Sequence, residues 1–133
     1  MKLLLDTHCL LWSIGKSDEL SENVKNEIKN INNEVLVSAI SLWKIALKYS
    51  IGKLIISSFD IKNIPFYCKQ MGIELIPLTP IEALKSFELP NKTTHKDPFD
   101  RMLIYQCIAN NYVFVSKDSK IEMYKEDGLK YIW

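Results

Sequence analysis

The sequence predicts an α/β domain in three layers, with a mainly parallel central sheet of four to five strands and helices on both faces. Three observations carry this. Short apolar runs alternate along the chain with helical segments of about ten residues, the grammar of βαβ units. The first run is continuously apolar, as a strand buried on both faces is. At 133 residues, with no internal repeat, linker or low-complexity tract, the chain has the size of a single domain spanning residues 1–133.

Lys2 to Leu5 reads as a buried strand running into a loop at Asp6-Thr7-His8. Cys9 to Ile14 continues apolar until Gly15 ends the element. Ser21 is placed to cap a helix carrying Val24, Ile28 and Ile31 at helical spacing. Glu34 to Ser38 is the second strand, and Ile40 to Ser50 is helical in character, stopping before Gly52. Asp60 can cap a helix that runs to Met71, where Gly72 stops it. Ile73 to Ile76 forms a third strand closed by Pro77. Thr79-Pro80 opens a short helix, with a cap followed by a proline at the first helical position, and Asp97-Pro98 repeats this pattern for a helix reaching about Asn110. Tyr112 to Val115 is a fourth strand and Lys130 to Trp133 a short fifth.

Composition narrows the function classes without choosing one. The residues are 47% hydrophobic and 25% charged, as in folded rather than disordered chains. No apolar run approaches the roughly 18 residues a membrane span needs, and the opening Met1 to Leu5 is too short for a signal peptide, so a cytoplasmic protein with no membrane partner is expected. Cys9, Cys68 and Cys107 are an odd number without paired spacing and are expected to pack in the core; His8 and His95 give no metal signature by themselves. A net charge of +1 makes no global case for nucleic acid. Any RNA contact then rests on local patches, Lys44/Lys48/Lys53 and Lys92/His95/Lys96, each of which also reads as a solvated face.

The acidic residues are more informative. Ligands of parallel α/β sheets bind beyond the carboxyl ends of the strands. Asp6 closes the first strand and Asp118 lies just past the fourth, which puts both at one sheet edge. Carboxylates gathered there suit Mg²⁺ or Mn²⁺, hard cations that take oxygen ligands and activate water in nucleases. Each acid also has a plainer reading. Asp97 suits an N-cap, Asp100 the first helical turn where the helix dipole favours negative charge, and Asp118 a cap on a helix from Ser119. Asp6 is the hardest to explain that way, since an acid ending a buried apolar strand needs a partner.

Leu3-Leu4-Leu5-Asp6-Thr7-His8 and Val37-Ser38-Ala39-Ile40-Ser41-Leu42-Trp43-Lys44-Ile45-Ala46 resemble the first two motifs of PIN-domain nucleases of the VapC toxin type. His95-Lys96-Asp97-Pro98-Phe99-Asp100-Arg101 with Leu103-Ile104 is similar to the third, Val115-Ser116-Lys117-Asp118 to the fourth, and the terminal Trp133 also suits the family. The matches run in family order over nearly the whole chain. The resemblance implies a PIN-like α/β/α fold and a Mg²⁺- or Mn²⁺-dependent endoribonuclease, with Asp6, Asp100 and Asp118 as metal-binding catalytic acids. It makes Asp97 a supporting acid and Thr7 and Ser116 hydroxyls beside the acids. It also implies a VapB-like antitoxin, an RNA substrate and a homodimer, with apolar Cys9 to Trp12 and the Trp43 helix as candidate contact surface.

One position departs from the family pattern. Where the second motif carries glutamate, this chain has Lys44, with no nearby acid to substitute. Pointing into the site, the ammonium repels a metal and pairs with Asp6 or Asp118; pointing away, it joins Ser41 and Lys48 in the polar stripe of an apolar helix. The former predicts an impaired or inactive nuclease. A natural homologue that kept only partner binding and a substitution acquired by a single base change both fit, and the intact remainder of the motifs favours the second. The alternative function is an inactive PIN-like module that binds antitoxin or RNA. A dehalogenase-type phosphatase wants a second Asp where His8 stands, and a receiver wants its phosphoacceptor where the third strand ends in Pro77; both fit poorly.

Overall fold

The computed structural model describes all 133 residues. Five strands, β1 (Lys2–Leu5), β2 (Glu34–Ser38), β3 (Ile73–Ile76), β4 (Val113–Val115) and β5 (Lys130–Ile132), form one sheet in the order β3-β2-β1-β4-β5. Every neighbouring pair is parallel, with Leu4 opposite Leu36 on one side and Phe114 on the other. The chain builds outward from β1 to β3, then returns to lay β4 on the opposite side of β1. The gap between β1 and β4 at their carboxyl ends is therefore the topological switch point where α/β folds place ligands.

The helices are α1 (Thr7–Gly15), α2 (Glu22–Lys29), α3 (Ala39–Ser50), α4 (Ile64–Gln70), α5 (Pro80–Lys85) and α6 (Pro98–Asn110). Successive strand residues point to opposite faces, and the core divides accordingly. Leu3, Leu5, Val35, Val37 and Val115 pack with Cys9, Leu10, Val24, Ile64 and Cys68 of α1, α2 and α4. Leu4, Leu36 and Phe114 pack with Leu103, Ile104 and Cys107 of α6 and with Ile121 and Tyr124. This is the three-layer arrangement the alternation of elements predicts. No helix is long and apolar enough to cross a membrane.

The predicted caps form as hydrogen bonds. Ser21 Oγ accepts from the Val24 amide, Asp60 caps a 3₁₀ turn that leads into α4, and Thr79 and Glu82 close a reciprocal capping box on α5. Asn111, at φ 60°, ends α6 in the left-handed conformation, and Gly128, at φ 100°, turns the chain from the 3₁₀ segment Ser119–Asp127 towards β5. Ile31 departs from expectation. The helix ends at Lys29, and Ile31 stands 96% exposed in the following turn, because its spacing from Ile28 matters only while the helix persists.

All three cysteines are free and buried, as their apolar neighbours predict. Burial raises each thiol above its ordinary value, reinforced at Cys9 by the adjacent Asp6 charge. Native protein is expected to leave all three unreacted with a thiol-reactive chromogenic disulfide and to expose them together on unfolding in urea. A thiol that titrates promptly in the folded state contradicts this packing.

Candidate metal centre

Asp6 and Asp118 reach the same edge from adjacent strands. The ladder between β1 and β4 extends one bond beyond β1, from the Asp6 amide to the Val115 carbonyl at 3.0 Å. Asp6 then caps α1, its Oδ1 accepting from the Cys9 amide at 2.7 Å. Just past β4, buried Ser116 accepts from the Asp118 amide at 3.1 Å, and Asp118 Oδ1 accepts from the Lys120 amide at 2.9 Å. Capping leaves the second carboxylate oxygen of each acid unspent: each uses one oxygen on a local backbone amide and fixes its rotamer by doing so.

α6 supplies the third acid. Asp97 caps this helix, its Oδ1 accepting from the Phe99 and Asp100 amides at 2.9 and 3.1 Å. The cap sets the first turn so that Asp100 enters a pocket of about 280 Å³ bounded by Asp6, Thr7, His8, Asp100, Ser116, Lys117 and Asp118, with Phe114 and Ile121 as its apolar residues. Asp6, Asp100 and Asp118 therefore line one cavity together with Thr7 and Ser116. Asp97 is outside it. Thr7 Oγ1 donates to Ser41 Oγ at 3.3 Å, tying α1 to α3 rather than orienting a carboxylate directly.

Lys44 points inward. It is 4% exposed, and its Nζ lies 3.4 Å from Asp97 Oδ2 and 3.3 Å from Asp100 Oδ1. The expected partners Asp6 and Asp118 are not the ones it takes. The reason is geometric: α3 and α6 pack side by side, and the first turn of α6 delivers two carboxylates to the ammonium. The polar-stripe alternative also fails, since Ser41 and Lys44 are buried on the face of α3 that meets the site.

These contacts set the acids apart electrostatically. Burial pushes the Asp97 carboxyl up, but the Asp100 amide, the Lys44 ammonium and the Phe99 amide outweigh it and hold Asp97 below the ordinary carboxylate value near 3.8. Asp100 moves the other way, raised chiefly by burial, with the charges of Asp97 and Asp6 opposing the pull of Lys44. A depressed folded value means that the stability Asp97 contributes is present above about 3.8 and lost as pH falls through the lower folded value. Asp97→Asn, which keeps the cap oxygen, is expected to flatten the loss of stability in that acid window, read by circular dichroism against pH. An unchanged acid slope contradicts the role of Lys44 at Asp97.

Residues 3–126 match the sequence model of the family described as PIN domain. The chain belongs to the PIN-domain family. The motif resemblance to VapC-type PIN domains agrees with the solved structures whose fold it shares. VapBC2 from Rickettsia felis, bound to a DNA fragment from its promoter, is similar at TM-score 0.68 and 20% identity over 99% of this chain and 98% of that one. VapBC-1 from nontypeable Haemophilus influenzae is similar at TM-score 0.67 and 13% identity over 99% and 97%. DNA-bound VapBC from Salmonella typhimurium is similar at TM-score 0.63 and 18% identity over 99% and 97%. No curated protein matches the chain by sequence.

Within this PIN domain, Asp6, Asp100 and Asp118 bring carboxylate oxygens to one cavity, a donor set whose chemistry could hold a hard divalent cation. Lys44 is the misfit, since its ammonium engages one oxygen of Asp100.

Sequence reading missed two contributors. His95, a weak metal candidate on its own, is buried, and its ring nitrogen comes with carboxylate oxygens of Asp100 and Asp118 into one group spanning no more than 4.8 Å. Its place in the third motif, two residues before Asp97, was the available signal. Lys117 lines the pocket, its Nζ 5.9 Å from the ring centre of Trp12 and 6.0 Å from that of Trp133. The two lysine patches fare worse as RNA contacts. Lys44 is buried, and Lys92 is engaged by Glu126 at 2.8 Å and Asp127 at 2.9 Å.

Proposed function

We propose that this PIN domain is a VapC-type toxin scaffold, a Mg²⁺- or Mn²⁺-dependent endoribonuclease fold whose hydrolytic site is blocked by Lys44. The observation that carries the reading is the convergence of Asp6, Asp100 and Asp118 on one pocket at the switch point of the sheet. When bound there, a divalent ion supplies an activated water and neutralises charge developing on the phosphodiester. The chain's own residues do the rest. Asp6 and Asp118, each fixed by a backbone amide, are preorganised as oxygen donors, and Lys117 at the pocket offers a cation to the RNA backbone. Ser116 holds the turn that brings Asp118 into the pocket.

The blocking role of Lys44 follows from its position. Two ion pairs within 3.4 Å give the ammonium a neutralising task that a cation otherwise performs, and its charge repels a divalent ion at the same carboxylates. Lys44→Glu is expected to gain Mn²⁺-dependent cleavage of RNA that the parent lacks, and the added change Asp118→Asn is expected to abolish it. Cleavage by the parent at the same rate overturns the blocked-site reading.

The buried pairs of Lys44 also favour a second reading, a PIN-like module that holds an antitoxin or RNA without cutting. Apolar surface for a partner chain is present: Trp43 is 65% exposed on α3, and Leu84 and Phe87, at 72% and 79%, flank the end of α5. A VapB-like antitoxin and a second copy of the chain are the proposed partners, and the cytoplasm the proposed location. If Lys44→Glu folds, takes up Mn²⁺ and still leaves RNA intact, the binding module replaces the nuclease.

A further inference from the structure

Behind the acidic pocket stands a polar chain that the reading above does not use. Arg101 Nη1 donates to the Pro90 carbonyl at 3.0 Å and to Tyr124 Oη at 2.9 Å, while Nη2 donates to the Leu89 carbonyl at 3.1 Å. Tyr124 is fully buried, and its Oη lies 2.8 Å from His95 Nδ1. His95 is 4% exposed, and its other nitrogen, Nε2, is buried without a hydrogen-bond partner. The nearest acid oxygen is Asp100 Oδ2, at 3.9 Å.

The proton positions in this chain are constrained. A guanidinium only donates, so Tyr124 Oη must accept from Arg101. The tyrosine has one proton of its own, and His95 Nδ1 is the acceptor within reach. Were the proton on Nδ1 instead, Tyr124 Oη would accept twice and leave its own O–H buried with no acceptor, a costly state. It would also aim an Nε2 lone pair at carboxylates. The arrangement that avoids both puts the imidazole proton on Nε2, facing Asp100.

We infer that Arg101, Tyr124 and His95 form a relay that holds the His95 proton on Nε2, facing Asp100 and poised to donate to it once Lys44 is removed, making His95 a positioning residue and not a metal ligand. The grouping of His95, Asp100 and Asp118 looks like a mixed nitrogen and oxygen cation site, but a protonated nitrogen has no lone pair to give. Asp100 is contested. Lys44 draws its Oδ1 from one side at 3.3 Å, and its Oδ2 stands off Nε2 at 3.9 Å, beyond hydrogen-bond length. Removing the ammonium releases Asp100 onto the waiting N–H, which aims its free oxygen into the pocket. Partners of this kind orient metal-binding side chains, and losing one typically costs about 10- to 100-fold in metal affinity. The inference rests on Asp100 belonging to the hydrolytic site, although its spectroscopic test does not require a bound metal.

Imidazole ¹⁵N NMR of the parent is the test, because it needs no destabilising change. Nδ1 is expected to show the shift of an unprotonated nitrogen and Nε2 that of a protonated one. In Lys44→Met the Nε2–H proton is expected to move downfield as its bond to Asp100 forms, and Asp100→Asn in that background to reverse the move. Tyr124→Phe, which deletes only the hydroxyl, is expected to raise the Nδ1-protonated population. A parent with the proton on Nδ1 overturns the inference and makes His95 a candidate ligand; a proton on Nε2 that does not move in Lys44→Met overturns the positioning role. If the shifts follow expectation but Lys44→Met takes up no Mn²⁺, the metal reading of the pocket falls while the relay stands.

Discussion

Replacing Lys44 by glutamate is expected to make the fold depend on a divalent cation. The change deletes an ammonium that lies 3.4 Å from Asp97 and 3.3 Å from Asp100 and adds another carboxylate beside them. Asp97 and Asp100 keep some access to water, their side chains being 39% and 25% exposed, so solvent softens the repulsion. A cost of roughly 3 kcal/mol is expected without metal, on the order of 10 °C in Tm for a domain of this size. Mn²⁺ at about a hundred times its Kd returns about 2.7 kcal/mol, most of the loss. Thermal melts with and without Mn²⁺ check this. The parent is expected to melt at the same temperature in both. A glutamate variant as stable as the parent without metal contradicts the assignment of Lys44 as the resident cation.

The converse change strands the ammonium. In Asp97→Asn/Asp100→Asn, Lys44 keeps its burial, with a side chain only 5% exposed, but loses both negative partners. Asparagine at 97 still offers an oxygen to the Phe99 and Asp100 amides, so the α6 cap survives and the effect is electrostatic. An uncompensated buried charge typically costs about 3–5 kcal/mol, and partial exposure of the pair moves the expectation to the lower end, about 3 kcal/mol by urea unfolding. Either single change should cost much less, since one carboxylate remains. Adding Lys44→Met to the double variant should recover most of the loss, because groups in one network are not additive. A double variant that falls no further than its singles add up to, and that Lys44→Met does not rescue, contradicts a shared charge cluster.

The parts of the fold that read well from sequence are those governed by short-range rules. Glu34 to Ser38 forms the strand expected of it, and the caps at Ser21, Thr79 and Asp97 form because a side-chain oxygen beside an unpaired helical amide leaves few alternatives. The parallel sheet follows from alternation, and with it the meeting of Asp6 and Asp118 at one edge. What the sequence left open depends on how helices pack. Whether Lys44 pairs with Asp6, Asp118 or the acids of α6 is decided by the contact between α3 and α6, which no local pattern specifies. The third motif marks the position of His95, but what the residue does there depends on packing for the same reason. Its role comes from Tyr124 and Arg101, residues 29 and 6 positions away in sequence that converge on it only once the second core has closed. Ile31 shows the opposite error, a periodic pattern carried past the end of the helix that gave it meaning.

The central claim is that the Lys44 ammonium holds the place of a metal ion among the acids. Calorimetric titration of Mn²⁺ into the parent and into Lys44→Met is the decisive check, because methionine keeps most of the unbranched apolar stem of the side chain and removes the ammonium with its charge and its hydrogen bonds to Asp97 and Asp100. No measurable binding to the parent is expected, and measurable binding to the methionine variant that is lost again on Asp118→Asn. Equal affinity in parent and variant would contradict it, since the ammonium would then not be competing for the carboxylates that bind the ion.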